Sequence, residues 1–325
     1  MINKNTQKLP GIDLHCHLDG SLSVQCVSRL LGREVAGEEL WAKEDCKSLA
    51  EYLEKFDLPL QCLQTEEGLR AASEDFLCSL TEDGMQYVEV RFAPLLSQER
   101  GLSVRQILQA VLEGLENGRK KCGIDYNVIV CAMRHHTQEE NLSMLRQARE
   151  FLGQGVCAAD LAGNEAAYPM HLFCELFAQA RKLGFPFTIH AGECKSVENV
   201  REAILCKAAR IGHGIALKGH TDIQRLCREH GVGIEMCPVS NFQTKAVEPG
   251  EEYPLREFLR EGLLASVNTD NRTVSCTTLE RERDFLRRNH GISEEELVLC
   301  TRNAIQTSFA DDAIKQKLWK LLEQA

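Results

Sequence analysis

The feature that most constrains this chain is an alternation sustained almost to its C-terminus: short runs rich in Val, Ile and aromatic residues are followed by longer segments of helical period. Such alternation is the mark of parallel β/α units. Strands are expected over residues 12–18, 87–94, 126–134, 156–163, 187–193, 210–217, 233–241 and 264–271. Eight units are what a closed (β/α)8 TIM barrel requires, and the 325-residue chain exceeds the roughly 250 residues such a barrel needs. Amphipathic helices are expected over 104–122, 144–153, 169–184, 196–209, 222–231 and 255–262, with further helices after the last strand. Gly123, Gly153, Gly184, Gly231 and Gly262 follow them as helix-ending residues.

Residues 19–85 break the rhythm, because they are too many for one crossover helix. Their content, including SLAEYLEKFDLPLQCL, is helical in pattern. The expectation is a helical insertion between strands 1 and 2 within a single domain spanning 1–325. It would emerge at the C-terminal face of the barrel, where active sites lie, as a lid and pocket wall or as padding of the outer helix layer.

A net charge of −10 argues against a nucleic-acid partner, since phosphate neutralisation needs clustered Lys and Arg. The N-terminus MINKNTQKLPGID has no apolar core of a signal peptide, and no run approaches a membrane span, so a cytoplasmic location without membrane partners is expected. Fifteen cysteines lie scattered through apolar segments with no C-x-x-C pair, which suggests reduced, buried thiols and no thiolate metal site.

The first strand reads I-D-L-H-C-H-L-D-G, and its period of two puts His15 and His17 on one face. Alone, an H-x-H pair is as readily satisfied by backbone or water as by a metal. Three further strand ends carry the same kind of group. T-I-H-A-G-E offers His190 and Glu193, R-I-G-H-G-I places His213 between glycines, and S-V-N-T-D-N ends on Asp270 and Asn271. Convergence at one end of the strands makes a nitrogen/oxygen site suited to Zn²⁺ rather than Mg²⁺ or a thiolate-bound metal. Zinc would lower the pKa of a bound water to about 7. Two proton carriers beside it, Glu193 and His213, point to addition across a polarised C=N or C=O with loss of a leaving group.

In the order and spacing of LHCHLDGS, KFDLPL, YVEVRFAP, DLAGNE, HAGE, RIGHGI, MCPVSN and SVNTDN, the chain resembles adenosine deaminases of the amidohydrolase superfamily. The resemblance implies one Zn²⁺ per chain held by His15, His17, His190 and Asp270. It implies that Glu193 protonates purine N1, and that His213 orients the zinc-bound hydroxide attacking C6. It assigns substrate contacts to His17, to Asp19 at the ribose, to Gly163 through its backbone N–H at N3, and to Asn271 at N7. The family's usual residue at this last position is aspartate, which must be protonated to donate to N7, whereas asparagine donates without a proton.

The implied ligand is a small purine nucleoside, adenosine or 2′-deoxyadenosine. H-L-D-G, rather than the H-L-E-G of relatives acting on free adenine, favours the nucleoside. Adenine, methylthioadenosine and, less readily, AMP remain rival substrates. A cyclic-amide hydrolase and a catalytically silent nucleoside-binding relative remain rival readings, and the sequence leaves the oligomeric state open.

Overall fold

The alternation within each apolar run becomes two physically different faces in the computed structural model, which describes residues 8–42, 46 and 49–325. In the second strand Val88, Val90 and Phe92 join the main apolar core, while Tyr87, Glu89 and Arg91 lie on the opposite face, all of them buried. The same division recurs at Ile189 against Thr188 and His190, and at Ile234 against Glu235.

Among the described residues eight strands form: β1 Gly11–His17, β2 Met85–Phe92, β3 Asp125–Met133, β4 Val156–Ala162, β5 Thr188–Ala191, β6 Arg210–His213, β7 Gly233–Met236 and β8 Leu264–Val267. They pair in parallel as two four-stranded sheets, β1-β2-β3-β4 and β5-β6-β7-β8. Isolated parallel bridges join the sheets at both edges, Ala159 to Phe187 and Cys16 to Asp270. The fold is therefore α/β with parallel sheets.

All eight expected strands are present, but those of the second sheet are shorter than the apolar runs suggest. β6 stops at His213, because Gly214 adopts a left-handed conformation and Ile215–Leu217 turns as a 3-10 helix. β7 stops at Met236, because Pro238 opens a helix at Pro238–Gln243. The helix expected over 144–153 is Gln138–Ala148. Thr137 caps it, and Glu140 reaches back to close a capping box that marks its true start. In place of one helix over 169–184 there is a 3-10 turn at Met170–Phe173 and a helix at Cys174–Lys182. The chain after β8 forms Leu279–His290, Glu294–Thr307 and Asp312–Gln324, as expected.

Between β1 and β2 lie the helices Val24–Leu31, Gly37–Leu40, Leu49–Leu53, Asp57–Cys62 and Glu66–Ser79. The last packs on Val104–Cys122, where a Cβ on Gly114 would lie 2.2 Å from the Arg70 carbonyl oxygen. Glycine is what lets these two helices approach. No described helix is long and apolar enough to cross a membrane.

Candidate active site

The polar faces of the strands build the floor of the site. Glu235 on β7 accepts from His15 Nδ1 at 2.8 Å, and Asp160 on β4 accepts from His190 Nδ1 at 2.9 Å. Arg91 on β2 joins the two carboxylates, at 3.0 Å from Asp160 and 2.8 Å from Glu235. Burial alone would raise both acids. His190 and Arg91 hold Asp160, and Arg91 and Arg210 hold Glu235, well below the usual carboxylate range. Ionised carboxylates fix both histidines as Nδ1–H tautomers, so each Nε2 presents a lone pair.

Those lone pairs meet other acceptors. His15 Nε2 is buried without a hydrogen-bond partner, 3.3 Å from Asp270 Oδ1. His17 Nε2 lies 3.4 Å from the same oxygen and 3.2 Å from His190 Nε2. Ser240 donates to Asp270 Oδ2 at 2.6 Å, leaving Oδ1 to face the imidazoles. Lone pairs of His15 and His190 turned toward an ionised carboxylate oxygen suit a cation between them.

His213 belongs to this cluster by distance, since ligating atoms of His15, His190, His213 and Asp270 all lie within 4.8 Å of one another. Its ring is held differently. Tyr253 donates to Asn241 Oδ1 at 2.9 Å, and Asn241 Nδ2 lies 3.0 Å from His213 Nδ1. An amide nitrogen only donates, so Nδ1 accepts and the ring proton sits on Nε2. That nitrogen lies 3.8 Å from Glu193 Oε2. His213 thus offers a proton where its neighbours offer lone pairs.

Local backbone geometry supports this placement. His213 and Asp270 have φ of 64° and 60°, a left-handed conformation that costs a non-glycine residue on the order of 1–3 kcal/mol. A Cβ on Gly212 would lie 2.9 Å from His15 Cε1, so the glycine beside His213 makes room for the metal-facing ring.

The loop bearing Glu193 hangs on one carboxylate. Glu165 accepts the N–H groups of Gly192, Glu193 and Cys194 at 2.7, 3.0 and 3.1 Å, and the Asn199 side-chain amide at 2.9 Å. Neither Glu165 nor Asp160, Glu235, Arg91 and Asn241 was singled out from sequence. The available signal was charge inside apolar strands, as in Y-V-E-V-R-F, A-A-D-L-A and G-I-E-M.

Above the floor opens a cavity of about 330 Å³, lined by His17, Asp19, Gly163, His190, Glu193, His213, Asp270 and Asn271 together with Tyr52, Leu53, Phe56, Leu60 and Leu96. The structure thereby gathers the sequence-predicted residues around one cavity, with His15 buried beneath them. Burial raises the Asp19 carboxyl to about 7, and its Oδ1 has no hydrogen-bond partner, with His17 Nδ1 3.9 Å away. A Cβ on Gly163 would meet nothing closer than 3.5 Å, so its φ of 101° rather than crowding by the protein calls for glycine. Asn271 lies against Gly20, where a Cβ would fall 1.9 Å from Asn271 Oδ1.

Nitrogen and carboxylate donors converging where parallel strands end, with a carboxyl and an imidazole beside them, define the class: a metal-dependent hydrolase of α/β fold. The family model for adenosine deaminase matches residues 10–325. An adenosine deaminase of Enterococcus faecalis is 41% identical over all of this chain and 99% of its own length, and one of Clostridium botulinum is 38% identical over 97% of each. The chain belongs to the adenosine deaminase family, hydrolases that act on C–N bonds. In fold it is similar to an adenine deaminase of Arthrobacter aurescens, with a TM-score of 0.88 at 23% identity over 98% of this chain and 99% of the other. It is also similar to an Arabidopsis N6-mAMP deaminase, with a TM-score of 0.86 at 24% identity over 98% of each.

Proposed function

We propose that the chain is a zinc-dependent deaminase of adenosine, with 2′-deoxyadenosine as a second substrate, producing the 6-oxopurine nucleoside and ammonia. The observation that carries this reading is the split in the cluster: imidazoles tied at Nδ1 to carboxylates turn lone pairs toward Asp270, while His213, tied to an amide, turns a proton toward Glu193. His15, His17, His190 and Asp270 would hold Zn²⁺, and His213, lacking a free lone pair, would not. Bound there, zinc supplies Lewis acidity and a water activated at neutral pH.

Glu193 donates its proton to purine N1, which makes C6 electrophilic. His213 Nε2–H orients the attacking oxygen and stabilises the charge that develops on it. Asp270 accepts a hydrogen bond from the same oxygen. Asp19, with an unpartnered buried oxygen, receives a ribose hydroxyl. The Gly163 N–H meets N3, and Asn271 donates to N7. His17 borders the base.

A nucleoside is favoured over a nucleotide because none of the described residues lining the cavity is Lys or Arg, the fixed cations that a 5′-phosphate would pair with. The two edge bridges support closure of the eight strands into one (β/α)8 barrel domain. Tyr52, Leu53, Phe56 and Leu60 support reading residues 19–85 as an insertion that walls the mouth of that barrel.

The test is a deamination panel of adenosine, 2′-deoxyadenosine, methylthioadenosine, adenine and AMP, with metal analysis on the same sample. Adenosine should turn over fastest, with zinc near one equivalent and activity lost on chelation. Adenine or AMP outpacing adenosine would sink the substrate assignment, and active protein free of zinc would sink the metal.

A further inference from the structure

Outside the active site, two half-buried thiols meet on the outer layer of the fold. Cys174 opens the helix Cys174–Lys182, and Cys206 caps the helix Val197–Leu205. They are 32 positions apart in sequence, yet their sulfurs lie 2.9 Å from each other. A disulfide bond is ~2.05 Å long, so closing the gap takes under about 1 Å of movement.

The backbone between them is already fixed. The turn Met170–Phe173 packs on the helix Val197–Leu205, and Asn199 Oδ1 on that helix accepts from Met170 N at 2.9 Å. Leu172, two residues before Cys174, and Leu205, next to Cys206, are 52% and 51% exposed, which puts the thiols at a surface a small reagent can reach. From this geometry we infer that Cys174 and Cys206 form a dithiol site that small-molecule disulfides oxidise to an intramolecular bridge.

The reaction balances as thiol–disulfide exchange. The Cys174 thiolate attacks one sulfur of the oxidant, breaks its S–S bond and releases one small thiolate, leaving a mixed disulfide. Cys206 gives up its proton to that thiolate, attacks Cys174 Sγ and displaces the second small thiolate. Two cysteines are oxidised and one small disulfide is reduced to two thiols. Cys206 Sγ donates its hydrogen bond to Cys174 Sγ, so Cys174 is the sulfur whose thiolate has a donor beside it, which assigns the first attack to Cys174 and the resolving step to Cys206.

A bridge here ties the Met170–Phe173 turn a second time to the helix whose Asn199 braces Glu165, and so lies behind the loop bearing Glu193. Its direct effect is on stability, because it closes a long loop in the unfolded chain.

The experiment treats the full chain with oxidised glutathione, alkylates the remaining thiols and maps peptides by mass spectrometry. The expected product is a Cys174–Cys206 cross-link lacking two hydrogen atoms, with Tm raised by about 3–6 °C and restored by reductant. Exposed Cys276 reports that the oxidant has reached the protein. The inference is overturned if Cys276 is modified while Cys174 and Cys206 both remain alkylatable, or if the cross-link forms instead between Cys78 and Cys122, whose side chains also meet. It is equally overturned if Cys174→Ala or Cys206→Ser keeps the oxidant-dependent rise in Tm. Mapping is done on the parent protein, so a variant that fails to fold leaves the result intact.

Discussion

The floor of the cavity and its mouth are held by opposite kinds of force. On the floor three of the rings are fixed by directed polar contacts: His15 by Glu235, His190 by Asp160, His213 by Asn241, with Arg91 and Arg210 binding the carboxylates together. At the mouth, Leu53, Phe56 and Leu60 bring apolar surface from short helices. Hydrogen bonds between buried ions fix angles, whereas apolar contact fixes only proximity. Chemistry that needs aligned lone pairs belongs on the first, and apolar contact with whatever enters the cavity on the second.

The contrast is broken most directly at the floor. Glu193→Gln should lower kcat by about 10³-fold with zinc content unchanged, because the amide cannot supply the N1 proton. Steady-state kinetics with metal analysis checks this, and near-normal turnover would remove Glu193 from proton transfer. Glu165→Ala should lower kcat by about 10²-fold while retaining zinc, since three N–H groups of the Glu193 loop lose their common acceptor. Loss of zinc in that variant would instead show that Glu165 supports the whole floor.

Contacts to the substrate should matter less. Asn271→Leu should cost about tenfold in kcat/KM, whereas Asn271→Asp should stay active with an altered pH profile, because a carboxyl must be protonated to donate. Full activity in the leucine variant would refute the N7 contact. At the mouth, Phe56→Ala should raise KM roughly three- to tenfold with kcat within about twofold, as expected where binding is uniform. An equal fall in kcat would show that the mouth also aligns the chemistry.

The smallest expected effect is on stability alone. Glu282 is buried, accepts Val239 N at 2.9 Å and Thr277 Oγ1 at 2.7 Å, and has its carboxyl raised to about 8, chiefly by burial. Its ordinary value is 4.5, so the folded state holds this proton more tightly than the unfolded state. Stability from that proton is complete below about pH 4.5 and declines as pH rises through about 8. Thermal melts at pH 6 and 9 should therefore show the parent losing ground to Glu282→Gln by about 3 °C or more at the higher pH. A gap that does not change with pH would mean that Glu282 does not titrate there.

Much of the floor was legible in the chain because strand periodicity is rigid. H-x-H on one strand must share a face, and motifs at successive strand ends of a parallel fold must gather at one side. Strand ends were less legible. The runs over 210–217 and 233–241 look uniform in sequence, but Gly214 and Pro238 end the strands early and turn His213 and Ser240 toward Asp270. Cys174 and Cys206 carry no local signal at all, since only the packing of two crossover segments brings them together.

The sequence by itself determined the alternating α/β order, the residues able to bind a metal and the carboxyl and imidazole beside them, because each follows from local periodicity and residue chemistry. Only the tertiary structure decided which histidine nitrogen carries a proton. That choice depends on partners 28 to 220 positions away in the chain: Glu235 for His15, Asp160 for His190 and Asn241 for His213. A hydrogen bond across the fold leaves no trace in local periodicity, and here it is what separates the rings that turn a lone pair into the cluster from the one that turns an N–H toward Glu193.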